Sequence, residues 1–382
     1  MAANPFRYGQ IATGEHFTDR ARELDTLVAD LSAGQSVVIV SPRRYGKTSL
    51  ALKARQRLER EHVLVAYADL FRATSKSRFI DELGTALYRG LASPLDRARS
   101  AVVDIFHALP LQPKISASRD GTPSVEFGPL ALPEDQDRTL TQLLEVPERF
   151  ATERDRRVVV MLDEFQEVVA LDPALPAVMR ATIQAQQHVA YVFLGSRQHL
   201  MTRVFTDRNE PLYRSARPLP LGSISAADFE PFIRSRFQST EVWIEDAAIA
   251  RILEISEGHP HDTQELCHFV WDLGNTSGVV VTAERVDDAL AQVVEAEDAH
   301  YTTLWESLTR AQRSLALALT REPGRGMYGE ALRQRHHLGS AATVQRALAA
   351  LLERDVVEGS SVHGYRVPDV FLRAWLATTV GP

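Results

Sequence analysis

The hydrophobic pattern of this chain switches between two periods. Unbroken apolar runs at 37–40, 63–68, 158–162 and 189–194 alternate with longer stretches in which apolar residues return every third or fourth position. Short β-branched runs predict strands buried on both faces, and the 3.6-residue stretches predict helices laid over them. A first helix carries Leu24, Leu27, Val28 and Leu31 on one face, with Thr18 or Asp19 as its cap and Gly34 at its end. Further helices are predicted over 49–62, 79–91, 139–154 and 176–188, and 219–221 supplies a short last strand. The alternation from 37 to 221 predicts an α/β unit with a mostly parallel sheet covered on both faces.

Residues 93–138 break this rhythm. They hold several prolines, and 114–118 with 124–127, separated by Arg119-Asp120-Gly121, predict an inserted hairpin. Beyond 222 the pattern is helical, over 226–237, 245–256, 262–273 and 283–295, interrupted at Gly258-His259-Pro260-His261 by a helix stop followed by a helix start. The last segment changes again. Helices over 311–320, 329–337 and 340–354, the third capped by Ser340, precede a hairpin formed by 356–358 and 362–367. Three helices and a hairpin predict a winged helix–turn–helix. The expected division is an α/β core over 1–222, a helical lid over 223–300 and a winged helix over 301–382.

Composition narrows the field. The chain has 382 residues, 45% hydrophobic and 24% charged, which is ordinary for a globular protein. A formal net charge of −7 argues against coating nucleic acid by bulk charge, although a local basic face stays open. The single cysteine, Cys267, excludes an intramolecular disulfide framework and lies in an apolar-periodic helix, where it reads as core. No apolar run reaches bilayer-spanning length, and the N-terminus has no hydrophobic signal core, so no membrane contact is expected and the expected location is cytoplasmic.

The chemistry gathers at two strand ends. Directly after the run 37–40 comes Ser41-Pro42-Arg43-Arg44-Tyr45-Gly46-Lys47-Thr48-Ser49-Leu50. A strand, a Gly-Lys-Thr turn and a helix start make a phosphate loop: loop N–H groups and the helix dipole face the anion. Lys47 would reach the β- and γ-phosphates of ATP, or the β-phosphate of ADP, and the Thr48 hydroxyl would ligate Mg²⁺. Ser41 stands where such loops usually open with Gly. The second strand, 158–162, ends in Asp163-Glu164. In open α/β sheets ligands sit at that tip. Asp163 would hold Mg²⁺ and Glu164 would polarise the attacking water. The strand at 189–194 ends in Gly195-Ser196, whose hydroxyl could meet the γ-phosphate or the water.

Several of these segments resemble known ATPases. Phe17, Asp19, Arg20 and Glu23 are similar to the segment before the first helix that contributes to the adenine pocket in AAA+ and STAND ATPases, with Asp in place of Gly. Gly258-His259-Pro260-His261 is similar to the Gly-x-Pro element of STAND proteins, which implies Pro260 and His261 near the base or phosphates. An arginine just before the last strand, Arg214 or Arg217, stands where AAA+ proteins place the residue that reaches a neighbour's γ-phosphate; this requires a homo-oligomer. Together with NPFRYG, VVVMLDEFQEV, FLGSRQHLM and PLYRSARPLPL, the motifs identify the chain as similar to the archaeal-type ATPase family. The resemblance implies a P-loop NTPase core, a helical lid and a C-terminal winged helix, and a slow ATPase switch. Its expected partners are DNA, read by Gln345 and Arg346 with Arg333, Arg335 and Arg366 nearby, or another protein.

Overall fold

The structure is a computed structural model that describes residues 3–12, 17, 20–91, 114–117, 123–126, 133–277, 280–324, 326–360 and 364–380. They divide into two units, one formed within 11–222 and the other by 3–10 together with 223–380.

The first unit runs α1 (Ala21–Ser32), β1 (Val37–Val40), α2 (Lys47–Arg60), β2 (Leu64–Asp69), α3 (Lys76–Leu91), β3 (Lys114–Ala117), β4 (Pro123–Glu126), α4 (Pro133–Arg154), β5 (Val158–Asp163), α5 (Gln166–Leu171), α6 (Leu175–Ile183), β6 (Val189–Gly195), α7 (Gln198–Thr206) and β7 (Arg217–Pro220). The five long-range strands form one parallel sheet in the order β2-β5-β6-β1-β7. All six residues of β5 and all seven of β6 are buried. Their side chains alternate between two cores: Val158, Val160 and Leu162 pack with α3, α4 and α7, whereas Val159 and Met161 pack with α1 and α2. The antiparallel pair β3–β4 is the expected hairpin; the rest of the irregular stretch, including Ser118 and Phe127, lies outside the described residues, as do Thr18 and Asp19.

The edge of the sheet is finished by proline. Arg217 N–H bonds Ser36 O at 2.8 Å, so the odd residues of β7 face β1. Pro218 and Pro220 therefore fall where a backbone N–H would point outward, and neither has one. The strand starts two residues earlier than expected, which puts Arg217 inside it. Helix α4 also starts earlier, at Pro133, because a proline followed by Glu134 and Asp135 suits a helix's first turn.

The second unit holds α8 (Ala226–Gln238), α9 (Asp246–Ser256), α10 (Pro260–Ser277), α11 (Ala283–Ala296), α12 (Asp298–Ser307), α13 (Arg310–Arg321), α14 (Glu330–Arg335), α15 (Ala341–Glu353), the antiparallel pair β8 (Glu358–Ser360) and β9 (Gly364–Arg366), and α16 (Val370–Thr379). One apolar cluster runs from Ile252, Trp271 and Val293 through Leu315 and Leu351 to Trp375. The segments expected as lid and winged helix thus share a core.

The N-terminal strap belongs to this unit as well, not to the α/β core where the sequence suggested it. Phe6 is 1% exposed, with ring centroids 6.4 Å from Phe232 and 5.1 Å from Phe237. Asn4 Nδ2 donates to His268 O at 3.0 Å and to Asp272 Oδ1 at 2.9 Å. The His268 ring nitrogen Nδ1 lies 2.8 Å from Phe6 O.

Candidate active site

Parallel pairing brings three strand ends to one edge of the first unit. Val40 pairs with Gly195, and Asp69 pairs with Asp163, so the loop after β1, the acids after β5 and Ser196 meet there. The loop closes through two left-handed residues, Arg44 at φ 67° and Gly46 at φ 84°. A Cβ at Gly46 would meet nothing within 4 Å, so the positive φ and not crowding favours glycine there. Gly46, the N-cap of α2, offers no side chain to cap the helix, and the first N–H groups of a helix have no acceptor within it.

Lys47 is nearly buried and bends back over the loop, donating from Nζ to Ser41 O at 2.7 Å and Pro42 O at 2.6 Å. The Ser41 hydroxyl is fully buried and has no hydrogen-bond partner among the described residues. A buried hydroxyl without a partner costs about 1–3 kcal/mol. An orphan donor at the mouth of an anion loop fits a phosphate oxygen. Pro42, Arg43 and Tyr45 complete the loop, and Ser49 begins the buried face of α2.

Thr48 and Asp163, 115 positions apart, touch: Thr48 Oγ1 donates to Asp163 Oδ2 at 2.7 Å. Tyr67 OH donates to the same oxygen at 2.7 Å, and Glu164 N–H to Asp163 Oδ1 at 2.9 Å. Burial raises the Asp163 carboxyl above its ordinary range, against the lowering pull of Thr48 and Tyr67, and the Glu164 charge raises it further. A divalent cation would reverse that balance. Thr48 and Asp163 are hard oxygen donors at one place, a set that fits Mg²⁺.

Glu164 is held in a left-handed backbone at φ 54°, which is uncommon for a residue with a side chain. Its Oε2 accepts from Ser196 Oγ at 3.0 Å and from Gln166 Nε2. Gln166 Oε1 accepts in turn from Ser196 N–H at 3.2 Å. Gly195 makes room for this: a Cβ there would lie 2.8 Å from Gln166 Oε1 and 2.5 Å from Met201 Sδ.

Other expected residues lie elsewhere. Arg20 is buried and uses its guanidinium on protein groups: Glu23 Oε1 at 2.9 Å, Tyr45 O at 3.3 Å and Gly222 O at 2.6 Å. It clamps the phosphate loop to the segment after β7. Arg217 pairs with Val37, at the opposite end of the strands from the loop, and is ion-paired to Asp30 at 2.6 Å. Arg214, at φ 52°, rests its guanidinium 5.3 Å from the Tyr213 ring centroid. Both arginines line a cleft of about 620 Å³ floored by Val38 and Pro218. Pro260 and His261 belong to the other unit, where His261 Nδ1 lies 3.3 Å from Asp262 Oδ1 and 3.5 Å from Glu265 Oε2.

Tyr67 and Gln166 are the site residues that sequence reasoning missed. The available signal was a polar group where the pattern calls for an aliphatic one: Tyr67 near the tip of β2, and Gln166 in the run Phe165-Gln166-Glu167-Val168.

A parallel sheet with a phosphate loop after β1 and an acid pair after β5, followed by a winged helix, defines a P-loop NTPase. Residues 17–266 match the model of an ATPase domain predominantly from Archaea, and 299–378 match a winged helix domain. The chain belongs to this archaeal ATPase family. Among solved structures it is similar to the Walker-type ATPase of Pyrococcus abyssi, at 15% identity over 97% of this chain and 99% of that one, with a TM-score of 0.67. It is less similar to the Orc1 protein of Aeropyrum pernix in complex with DNA, at 12% identity over 95% and 93% of the two chains and a TM-score of 0.48. A WD repeat-containing protein of Synechocystis shares 20% identity over 334 residues, 82% of this chain. The chain spans about a quarter of that relative's length, 26%.

Proposed function

We propose that this chain binds ATP with Mg²⁺ and hydrolyses it slowly, as a nucleotide-controlled switch. The observation that carries the reading is the contact between Thr48 Oγ1 and Asp163 Oδ2, which unites the phosphate loop with the strand-tip acid. Lys47 and the loop amides bind the phosphates. Thr48 and Asp163 would hold Mg²⁺, which would supply neutralisation of phosphate charge. Glu164 takes a proton from water as the water oxygen bonds to the γ-phosphorus; the bond to the β–γ bridging oxygen breaks and ADP leaves with that electron pair. Ser196 orients Glu164 and meets the γ-phosphate side of the site. Arg20 acts as a clamp on the loop in this reading, and Pro260 and His261 carry the other unit's response to nucleotide. Arg214 is the better candidate for reaching a neighbouring copy, since Arg217 is already paired with Asp30.

The winged helix domain is read as a protein contact. Three of its arginines are ion-paired: Arg335 with Glu322 at 2.7 Å, Arg366 with Glu358 at 2.7 Å and Glu257 at 2.8 Å, and Arg373 with Glu257 at 2.5 Å.

Two variants test the ATPase reading. Lys47→Ala should abolish tight ATP binding in calorimetry, and retained micromolar affinity removes Lys47 from phosphate binding. Glu164→Gln should bind ATP yet release phosphate about 10²-fold or more slowly, the usual contribution of a general base. Undiminished release removes Glu164 from the reaction.

A further inference from the structure

We infer that Gln166 is a positioning residue that fixes which oxygen of Glu164 receives the proton from the attacking water. This rests on the reading of Glu164 as the group that activates water.

The argument is atomic. The Glu164 carboxylate has two oxygens. Oε2 accepts from both Gln166 Nε2 and Ser196 Oγ. Oε1 accepts from no group among the described residues. A carboxylate oxygen already receiving two hydrogen bonds has its lone pairs largely committed, and the other is the better proton acceptor. Gln166 and Ser196 thereby divide the carboxylate into an anchored oxygen and a working one. Ser196 alone cannot set this, because a hydroxyl rotates to suit its partners. Gln166 can, since its amide is pinned at its other end: Oε1 accepts the Ser196 N–H at 3.2 Å.

The surroundings enforce the arrangement. Gln166 is 1% exposed, in a place where a polar side chain is expensive unless its bonds are made. It opens α5 beside Phe165, whose ring is 4.8 Å from that of Phe193 in β6. Phe165 N–H bonds Leu194 O at 2.8 Å. The segment carrying Glu164 and Gln166 is therefore tied to β6 on both sides of its packing, and a shift of Ser196 at the end of β6 passes through the amide to the carboxylate. The reaction step is unchanged: the proton passes from water to Glu164 Oε1, and ADP leaves with the electron pair of the broken phosphorus–oxygen bond.

The test uses the full chain and two substitutions. Gln166→Glu keeps an oxygen that can accept the Ser196 N–H and removes the donor to Glu164. Gln166→Met keeps the volume and removes both bonds. Affinity for ATP, measured with a fluorescent ATP analogue, should stay within about threefold of the parent, while single-turnover phosphate release falls at least tenfold in both. In a Glu164→Gln background, Gln166→Glu should slow the residual rate no further. Parental release rates in either variant that binds ATP normally would overturn the role of Gln166. So would an equal further loss in the Glu164→Gln background, because Gln166 would then act independently of Glu164. If Glu164→Gln alone turns over at the parental rate, the reading of Glu164 falls, and this inference with it. If Gln166→Met fails to bind ATP, Gln166→Glu decides.

Discussion

Two buried aspartates meet opposite fates in this molecule. Asp163 is desolvated with a second acid beside it, so burial raises its carboxyl, and the hydrogen bonds from Thr48, Tyr67 and the Glu164 N–H oppose the shift without reversing it. Asp262 is as deeply buried, yet the bonds from His259 and His261 overcome burial and hold it down at about 2. The His259 contact is 3.0 Å and the His261 contact 3.3 Å. An acid whose folded pKa lies below its unfolded value near 4 stabilises the fold above that value and loses the contribution as pH falls through its folded pKa. Asp262→Asn should therefore cost on the order of 2 kcal/mol at pH 7 in urea melts, from a shift of nearly two pKa units at 1.36 kcal/mol each. The deficit should shrink between about pH 4 and pH 2. A deficit independent of pH over that range would show that the carboxylate's charge is not what matters.

At the scale of elements, burial decides more than intrinsic propensity. Strands β5 and β6 were legible as sequence because a parallel strand covered on both faces must be apolar throughout. Helices α5, α7, α12 and α16 were not read. They are six to ten residues long, too short to be stable alone, and tertiary packing holds them. The same contrast applies at the site. Lys47, Thr48, Asp163 and Glu164 could be found because their chemistry admits few residue types at fixed spacing. Tyr67 and Gln166 act through register and through a turn that aims a side chain at another strand, and neither is visible in linear order. The strap over residues 3–10 escaped for a related reason: its partner helix α10 begins about 250 positions later. Phe6→Ala should destabilise the second unit by about 3–5 kcal/mol, as expected for emptying a fully buried aromatic site. Nucleotide binding by the other unit serves as a control. Unchanged urea denaturation of the second unit would mean that Phe6 is not part of its core.

For the whole molecule, charge placement speaks to partners. A net charge of −7 and the pairing of Arg335, Arg366 and Arg373 with Glu322, Glu257 and Glu358 remove part of the charge that would displace counterions from DNA. Arg346 lies on the exposed face of α15, among Ala342, Gln345 and Ala349. Duplex binding should be no tighter than about 10⁻⁴ M at physiological salt, the weak end of the non-specific range. Fluorescence anisotropy with a labelled duplex checks this. An affinity near 10⁻⁸ M that Arg346→Ala weakens would favour a DNA-reading module instead.

Residues 3–10 and 223–380 build one unit, and the unit that carries the phosphate loop lies between them in sequence. On the ribosome, synthesis is sequential, and domains generally fold as they emerge. The sheet that carries the phosphate loop has all its strands once Pro220 is out. The strap that carries Phe6 is made before that sheet, but its docking surface on α8 and α10 is made after it. A nascent chain therefore completes the sheet that carries the phosphate loop while Phe6 is still an undocked hydrophobic side chain, and the second unit closes only when residues 3–10 meet α8 and α10.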